Sequence, residues 1–130
     1  MKNRNVAILS AVSLLVSPQL LWANMSYQTG DIIFHVSKSQ QSLGIQKATK
    51  SRYSHMGLIV NRNGKAWVLE AVQPVKYTAL QQWIDRGVER HYVVKRFKTN
   101  LTVQQKQQLI KNAEQYLGQP YDLYFEWDNR

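Results

Sequence analysis

Four separate segments of the chain are runs of apolar, largely β-branched or aromatic, residues, which predicts four β-strands. The four segments are TGDIIFHV at 29–36, HMGLIV at 55–60, KAWVLEAV at 65–72 and RHYVVKRF at 90–97. The second and third are separated by NRNG, and its Asn63-Gly64 pair is typical of a two-residue hairpin turn. Pro74 is expected to end the third strand. The pattern therefore predicts a hairpin, with one strand before it and one after it along the chain.

Two stretches between these segments have the composition of short helices. Residues 39–50 carry scattered apolar positions among Gln and Lys, which predicts a short, irregular first helix. Thr78 and Gln81 form a capping-box pattern, in which each side chain would bond the backbone N–H of the other residue, next to ALQQWIDRG. A second short helix is therefore predicted to begin at this box and to end at Gly87.

The longest predicted helix lies near the C-terminus. Thr102 and Gln105 repeat the capping-box pattern, the apolar positions that follow fall on one helical face, and Gly118 with Pro120 ends the pattern. The predicted order is strand, helix, hairpin, helix, strand, helix. We therefore expect an α+β fold, in which a small, mostly antiparallel sheet packs against helices.

The length and composition fit a single domain preceded by an export signal. With 130 residues and 44% hydrophobic content, the chain can form one core and is too short for two. At its N-terminus, Lys2 and Arg4 precede an uncharged apolar stretch at 6–22, and the small residue Ala23 follows. This is the composition of a secretory signal peptide. We therefore expect a signal peptide at 1–23, a folded domain at 24–130, and a periplasmic or secreted protein.

The chain is strongly basic, and its basic residues are scattered. Lysine and arginine number 17 against 8 acidic residues, a formal charge of +9 that falls to +7 without Lys2 and Arg4. Scattered charge does not favour nucleic-acid binding, whereas an exported basic domain would meet anionic polymers and lipid headgroups of the cell envelope. We expect no nucleic-acid partner and a peripheral contact with this anionic surface.

The residue types exclude several kinds of site. The sequence has no cysteine, which rules out a disulfide framework, a thiolate metal site and a cysteine nucleophile within these 130 residues. The three histidines, His35, His55 and His91, do not have the spacing of metal ligands. The sequence therefore predicts neither a metal nor another cofactor.

The hairpin turn determines which residues of its two strands share a face. If Asn63-Gly64 is the turn, His55 and Glu70 become diagonal neighbours on one side of the sheet. If the turn lies one residue earlier, at Arg62-Asn63, His55 and Glu70 face each other directly. Both registers keep the two side chains on the same face, and only a one-residue slip would separate them.

A carboxylate on a covered sheet face needs a partner. Both faces of the hairpin are apolar, so an unpaired Glu70 charge would be costly there. A carboxylate that binds one ring nitrogen of a histidine fixes the tautomer and leaves the other nitrogen free to act as a base. His55 as general base and Glu70 as its orienting partner form the candidate catalytic pair. The alternative is that His55 is a structural residue at a strand end and Glu70 is solvated.

Four segments of the sequence, in this order, resemble a known family. They are GDIIF, YSHMGLIV, WVLEAVQPVKYTALQQWI and LGQPYDLYFEW, and together they span nearly all of residues 29–128. They resemble the YiiX-like, circularly permuted branch of the NlpC-type papain-like cysteine hydrolases. The resemblance implies a permuted papain-like architecture, with His55 and Glu70 as the catalytic histidine and its polar partner. In that family the nucleophilic cysteine opens a helix shortly after a segment like YDLYFEW, so the resemblance also implies that the C-terminal part is missing from this chain.

These inferences give an expected function and two alternatives. Intact relatives would use a thiolate to cleave amide or ester bonds, and an exported member would meet a small-molecule, peptide or lipid amide of the envelope. Without the cysteine, the chain alone is expected to be inactive. The alternatives are a non-catalytic module that binds peptidoglycan or anionic lipid, and an unstable remnant with an incomplete core. The aromatic segment at 121–127 is expected to run near the His55 face, where Tyr121 or Tyr124 would line the cleft.

Overall fold

A computed structural model describes residues 26–120 and shows, within that range, one antiparallel sheet of five strands with three helices. The strands are β1 (Ile32–His35), β2 (His55–Arg62), β3 (Lys65–Glu70), β4 (Lys76–Ala79) and β5 (Tyr92–Lys95). The helices are α1 (Ser42–Thr49), α2 (Leu80–Arg86) and α3 (Val103–Glu114), and a 3₁₀ turn occupies Val88–Arg90. The strand order in the sheet is β4-β3-β2-β1-β5, and neighbouring strands are antiparallel. The predicted α+β class is confirmed.

The central hairpin has the first of the two predicted registers. Arg62 pairs with Lys65, so Asn63 and Gly64 form the two-residue turn. Their φ angles are 50° and 73°, the left-handed conformation that a type I′ turn requires at both central positions. Asparagine and glycine adopt this conformation at low steric cost, so the local sequence sets the register of β2 against β3.

The hydrophobic core lies between one face of the sheet and α2. Ile33 of β1, Ile59 of β2 and Val68 of β3 are buried together with Trp83 and Ile84 of α2. Burial of each aliphatic side chain of this size contributes roughly 1.5–3 kcal/mol. Alternation along the strands assigns the candidate catalytic pair to this same face, so α2 covers the surface on which the pair lies.

The structure corrects the prediction for the segment that joins the hairpin to α2. A strand that was not predicted, β4, precedes α2 and pairs with β3. Thr78 is a residue of this strand, and the predicted capping box with Gln81 was wrong, since α2 begins at Leu80 and its N-cap makes no side-chain capping bond. The Thr78 hydroxyl donates instead to the Glu70 carboxylate, because β4 brings it beside that buried charge.

The second predicted capping box is confirmed at α3. Thr102 Oγ1 accepts a hydrogen bond of 3.2 Å from the Gln105 N–H, and Gln105 Oε1 accepts one of 2.9 Å from the Thr102 N–H. The helix ends at Glu114, before the predicted stop at Gly118. Residues 118–119 then exchange backbone hydrogen bonds of 2.9 and 3.0 Å with Val75, which holds this part of the chain beside the start of β4.

Two predictions fall on parts of the chain that the structure does not describe. The signal peptide at 1–23 and the aromatic segment at 121–127, with Tyr121 and Tyr124, lie outside the described residues and stay predictions. Within residues 26–120, no helix has both the length and the apolar content needed to cross a membrane.

Candidate active site

The two candidate catalytic residues lie at neighbouring strand ends on one face of the sheet. His55 is the first residue of β2 and Glu70 is the last residue of β3. His55 Nε2 is 2.7 Å from Glu70 Oε2, within hydrogen-bond distance. A Cβ at Gly57 would lie 2.2 Å from Val68 Cγ1 and 3.6 Å from Glu70 Cβ, so glycine at this position lets β2 and β3 pack closely beside the pair. The structure thus brings the two residues together, and their catalytic role stays a prediction.

Glu70 is a buried carboxylate that accepts three hydrogen bonds. Its side chain is 0% exposed; Oε2 accepts from His55, and Oε1 accepts from the Thr78 hydroxyl and from Arg86 Nη2. Burial alone would raise the pKa of this carboxyl group, but the hydrogen bonds from His55 and Thr78 and the charge of Arg86 outweigh burial and lower the pKa to about 2. The carboxylate is therefore ionised at neutral pH.

The ionised carboxylate determines the tautomer of His55. A carboxylate can only accept hydrogen bonds, so His55 Nε2, which contacts Glu70, must carry a proton. In the neutral imidazole, Nδ1 is then the unprotonated nitrogen. The side chain of His55 is 20% exposed and lines a cleft, so a proton donor can approach it from solvent. The arrangement can accept a proton at Nδ1 and stabilise the resulting imidazolium with Glu70.

His35 lies directly beside His55 but belongs to the core. The two histidines pair across β1 and β2, and their ring centroids are 5.4 Å apart. His35 stacks on Trp83 with a centroid distance of 3.8 Å and an interplanar angle of 16°. Burial, followed by electrostatic repulsion from His55 and Arg86, lowers the pKa of His35 to about 4. His35 is therefore a neutral ring at pH 7 and forms a wall behind His55.

His55 borders two adjacent clefts of different character. The larger cleft has a volume of about 560 Å³. Besides His55, its polar lining residues are His35, Ser37, Lys38, Ser39, Gln41, Ser54, Gln73, Asp85 and Arg86. The smaller, with a volume of about 410 Å³, is lined chiefly by Phe34, Ile45, Tyr53, Met56 and Ala71. A substrate group that reaches His55 can therefore have a polar part on one side and an apolar part on the other.

Three residues of the site were not found by sequence reasoning. Thr78 and Arg86 contact Glu70 from β4 and α2, and His35 contacts His55 from β1. The alternation in KYTA at 76–79 was a signal for a strand, and antiparallel pairing of that strand with β3 would have brought Thr78 near Glu70. No sequence pattern indicated Arg86, since its position depends on how α2 packs on the sheet. The third histidine, His91, is exposed.

A solved structure resembles this chain closely. It is the crystal structure of the metalloprotein yiiX from Escherichia coli O157:H7, with a TM-score of 0.73 and 55% sequence identity, covering 78% of this chain and 56% of that one. Within residues 26–120 of the present chain, no group of three or more His, Cys, Asp or Glu side chains is placed to hold a metal ion.

A curated relative and a family model agree with the structural match. YiiX of Escherichia coli strain K12 is 52% identical over 130 residues, and the match covers 99% of this chain and 61% of the relative. The chain thus spans about three fifths of that relative's length. The model of the permuted papain-like amidase enzymes, YaeF/YiiX, matches residues 26–130, which confirms the family indicated by the four sequence segments. The chain belongs to the permuted papain-like amidase family that includes YaeF and YiiX.

Proposed function

We propose that this chain supplies the general base and its orienting carboxylate to an amidase site, with His55 as the base and Glu70 as its partner. The observation that carries the proposal is the 2.7 Å contact between His55 Nε2 and the buried, ionised Glu70. The contact leaves Nδ1 as the proton acceptor, on a side chain that lines a cleft of about 560 Å³. A buried carboxylate, an oriented imidazole and an adjacent cleft are the parts that general-base catalysis needs.

The nucleophile of the proposed reaction is a thiol from outside these residues. The sequence has no cysteine, so no thiol within the 130 residues can serve. The chain spans 61% of the length of Escherichia coli YiiX, and the rest of that relative has no counterpart here. We therefore propose that the complete site combines His55 and Glu70 with a cysteine carried by additional sequence, and that the 130 residues alone do not turn over substrate.

In the proposed reaction, His55 Nδ1 takes the thiol proton as the sulfur attacks the carbonyl carbon of an amide. The C–N bond then breaks, the proton passes from Nδ1 to the leaving amine, and the acyl group stays on sulfur as a thioester. A water molecule next gives a proton to Nδ1 as its oxygen attacks the thioester carbon, and that proton returns to the sulfur as the acid leaves. Glu70 stabilises the imidazolium in both halves of the reaction.

The tautomer of His55 tests the first part of this proposal in the chain as it exists. Nitrogen-detected NMR of the imidazole at a pH where His55 is neutral should find the proton on Nε2 and none on Nδ1. His91, which is exposed and has no carboxylate partner among the ion pairs of the described residues, serves as the comparison ring. A neutral His55 that carries its proton on Nδ1 would overturn the assigned roles, since that nitrogen could not accept a proton.

A chimera tests the catalytic role directly. The part of Escherichia coli YiiX outside the match would be joined to this chain, and hydrolysis of p-nitrophenyl acetate and of N-acetyl p-nitroaniline would be measured. We expect hydrolysis that iodoacetamide abolishes, and we expect His55→Ala to lower kcat by about 10³-fold. His91→Ala is the matched control and should leave kcat unchanged. A His55→Ala chimera as active as its parent would contradict the proposal.

A second candidate function is a non-catalytic module that binds the cell envelope. The lack of cysteine and the formal charge of +7 that remains without Lys2 and Arg4 favour it. Both candidates include export through a signal peptide at 1–23. This predicts a periplasmic form that begins at Asn24, which a mass measurement of the purified periplasmic protein would check. The binding candidate predicts that this form sediments with peptidoglycan or with vesicles containing an anionic lipid, and that added salt releases it. A protein that stays in the supernatant at low salt would count against this candidate.

A further inference from the structure

Some of the charged side chains that line the larger cleft beside His55 form ion pairs within the described residues, and one does not. Besides its two histidines, its charged residues are Lys38, Asp85 and Arg86. Arg86 donates to the Glu70 carboxylate through Nη2, and Asp85 Oδ1 lies 2.9 Å from Arg90 Nε. Among the ion pairs of residues 26–120, none includes Lys38. Lys38 is therefore the cation whose charge is left to act on a molecule in the cleft.

The net charge of the cleft follows from these pairs. The Arg86 charge is offset by Glu70, and the Asp85 charge is offset by Arg90. His35 adds no charge at pH 7, because burial, followed by electrostatic repulsion from His55 and Arg86, lowers its pKa to about 4. The lining is thus net positive through Lys38, and a concave wall concentrates such a field on the molecule inside it.

The loop that carries Lys38 is held on both sides by hydrogen bonds. The Ser37 N–H donates to Ser54 Oγ at 2.8 Å, and the Ser39 N–H donates to Ser37 Oγ at 3.1 Å. Before it, the Val36 carbonyl accepts from the Val88 N–H at 3.0 Å. Lys38 therefore extends from a fixed backbone next to hydroxyl groups that also line the cleft, which is a setting suited to a carboxylate or a phosphate.

We propose that this cleft selects acyl substrates that bear an anionic group, a carboxylate or a phosphate, near the scissile bond, and that Lys38 recognises that group. The inference rests on the proposed function, because it is His55 that places the scissile carbonyl at the edge of the same cleft. It narrows the substrate class from amides in general to anionic amides and esters. Lys38 acts in binding, so its effect is on affinity and on KM.

Binding of four small amides to the 130-residue chain tests the inference without any turnover. The ligands are N-acetylglycine with a carboxylate, O-phospho-N-acetylethanolamine with a phosphate, the neutral N-acetylglycinamide and the cationic N-acetylethylenediamine. Titrations followed by NMR give Kd and show which residues shift. We expect the anionic ligands to bind about fivefold tighter than the neutral one and to shift residues of the cleft, and the cationic ligand to bind more weakly. The ratio of the carboxylate to the phosphate Kd decides which anion the site prefers.

Two matched variants assign the effect to Lys38. Lys38→Gln should bring the anionic and neutral ligands to the same Kd, whereas Lys65→Gln, at the exposed end of the hairpin, should keep the fivefold difference. Raising the salt from about 0.02 M to about 0.5 M should also reduce that difference. Equal affinity for anionic and neutral ligands, no binding of any of the four, or a Lys38→Gln variant that keeps the difference would each overturn the inference. The two proposals can fail separately. If His55→Ala abolishes hydrolysis by the chimera but the ligand titrations show no preference for anions, this inference is wrong and the proposed function stands.

Discussion

Replacing Glu70 with glutamine tests the electrostatic account of the site. Glu70→Gln keeps the shape of the side chain and removes the charge that accepts hydrogen bonds from His55, Thr78 and Arg86. The amide NH₂ group can only donate hydrogen bonds, so it would replace one accepting oxygen of Glu70 and face side chains that are themselves donors. We therefore expect the variant to fold with a lower free energy of unfolding at neutral pH, and we expect the loss to shrink in acid.

The size and pH range of this effect follow from the pKa of Glu70. The pKa falls from 4.5 to about 2 in the folded chain, and at about 1.4 kcal/mol per unit this corresponds to about 3 kcal/mol. Because the folded pKa lies below the unfolded one, the contribution is fully present above pH 4.5 and is lost as the pH falls toward 2. The side chain is 0% exposed, so solvent does not screen the charge.

Urea unfolding measured by tryptophan fluorescence at several pH values between 7 and 2.5 would check this prediction. The free energy of unfolding of Glu70→Gln should lie about 3 kcal/mol below that of the parent at pH 7, and the two should converge below pH 4.5. Glu89→Gln is the control, since it changes an exposed glutamate and should follow the parent curve. A constant difference between the Glu70→Gln variant and the parent at pH 7 and pH 3 would refute the reasoning, because the loss would then not come from the charge.

Three further predictions concern stability. The folded pKa of His35, about 4, lies below the unfolded value of 6.5, so the free energy of unfolding of the parent should fall as the pH drops from 6.5 to 4. His35→Phe should reduce this fall, whereas His91→Phe, at an exposed site, should leave it unchanged in the same urea titrations. Gly57→Ala should cost about 3 kcal/mol in urea unfolding through the overlap with Val68 Cγ1, and adding Val68→Ala should recover part of the loss; additive effects would contradict the overlap. Thr102→Ala should lower the unfolding free energy by about 1 kcal/mol through loss of the α3 capping box, and serine at that position should restore it in thermal melts.

The position of the candidate pair could be predicted because it depends on a local feature. A two-residue turn at Asn63-Gly64 links neighbouring residues, so its conformational preference sets the ladder register. Side-chain alternation then carries that register along the strands and puts His55 and Glu70 on one face. The capping box of α3 was predictable for the same reason, since its two hydrogen bonds join residues three positions apart.

The surroundings of the pair could not be predicted in this way. The pattern at Thr78 and Gln81 matches a capping box as well as the pattern at Thr102 and Gln105 does. Thr78 nevertheless lies in β4, which pairs with β3, and its hydroxyl donates to the buried Glu70 carboxylate. A buried charge gains more from a hydrogen bond than a solvated helix end does, so tertiary burial outweighed the local preference. The residues near Thr78 in the sequence do not indicate whether its hydroxyl caps a helix or donates to Glu70.

The sequence by itself determined the α+β class, the shared face of His55 and Glu70 and the family, because each is encoded by patterns of neighbouring residues, and it narrowed the hairpin to two registers. Only the tertiary structure decided that Glu70 is ionised and triply hydrogen-bonded, and that His55 Nδ1 is the nitrogen left to accept a proton. It also decided that Lys38 faces a cleft as an unpaired cation among the described residues. These features depend on how β4, α2 and the loop before α1 pack around the hairpin. Such packing is set by burial and charge between residues distant in sequence, which no local pattern records.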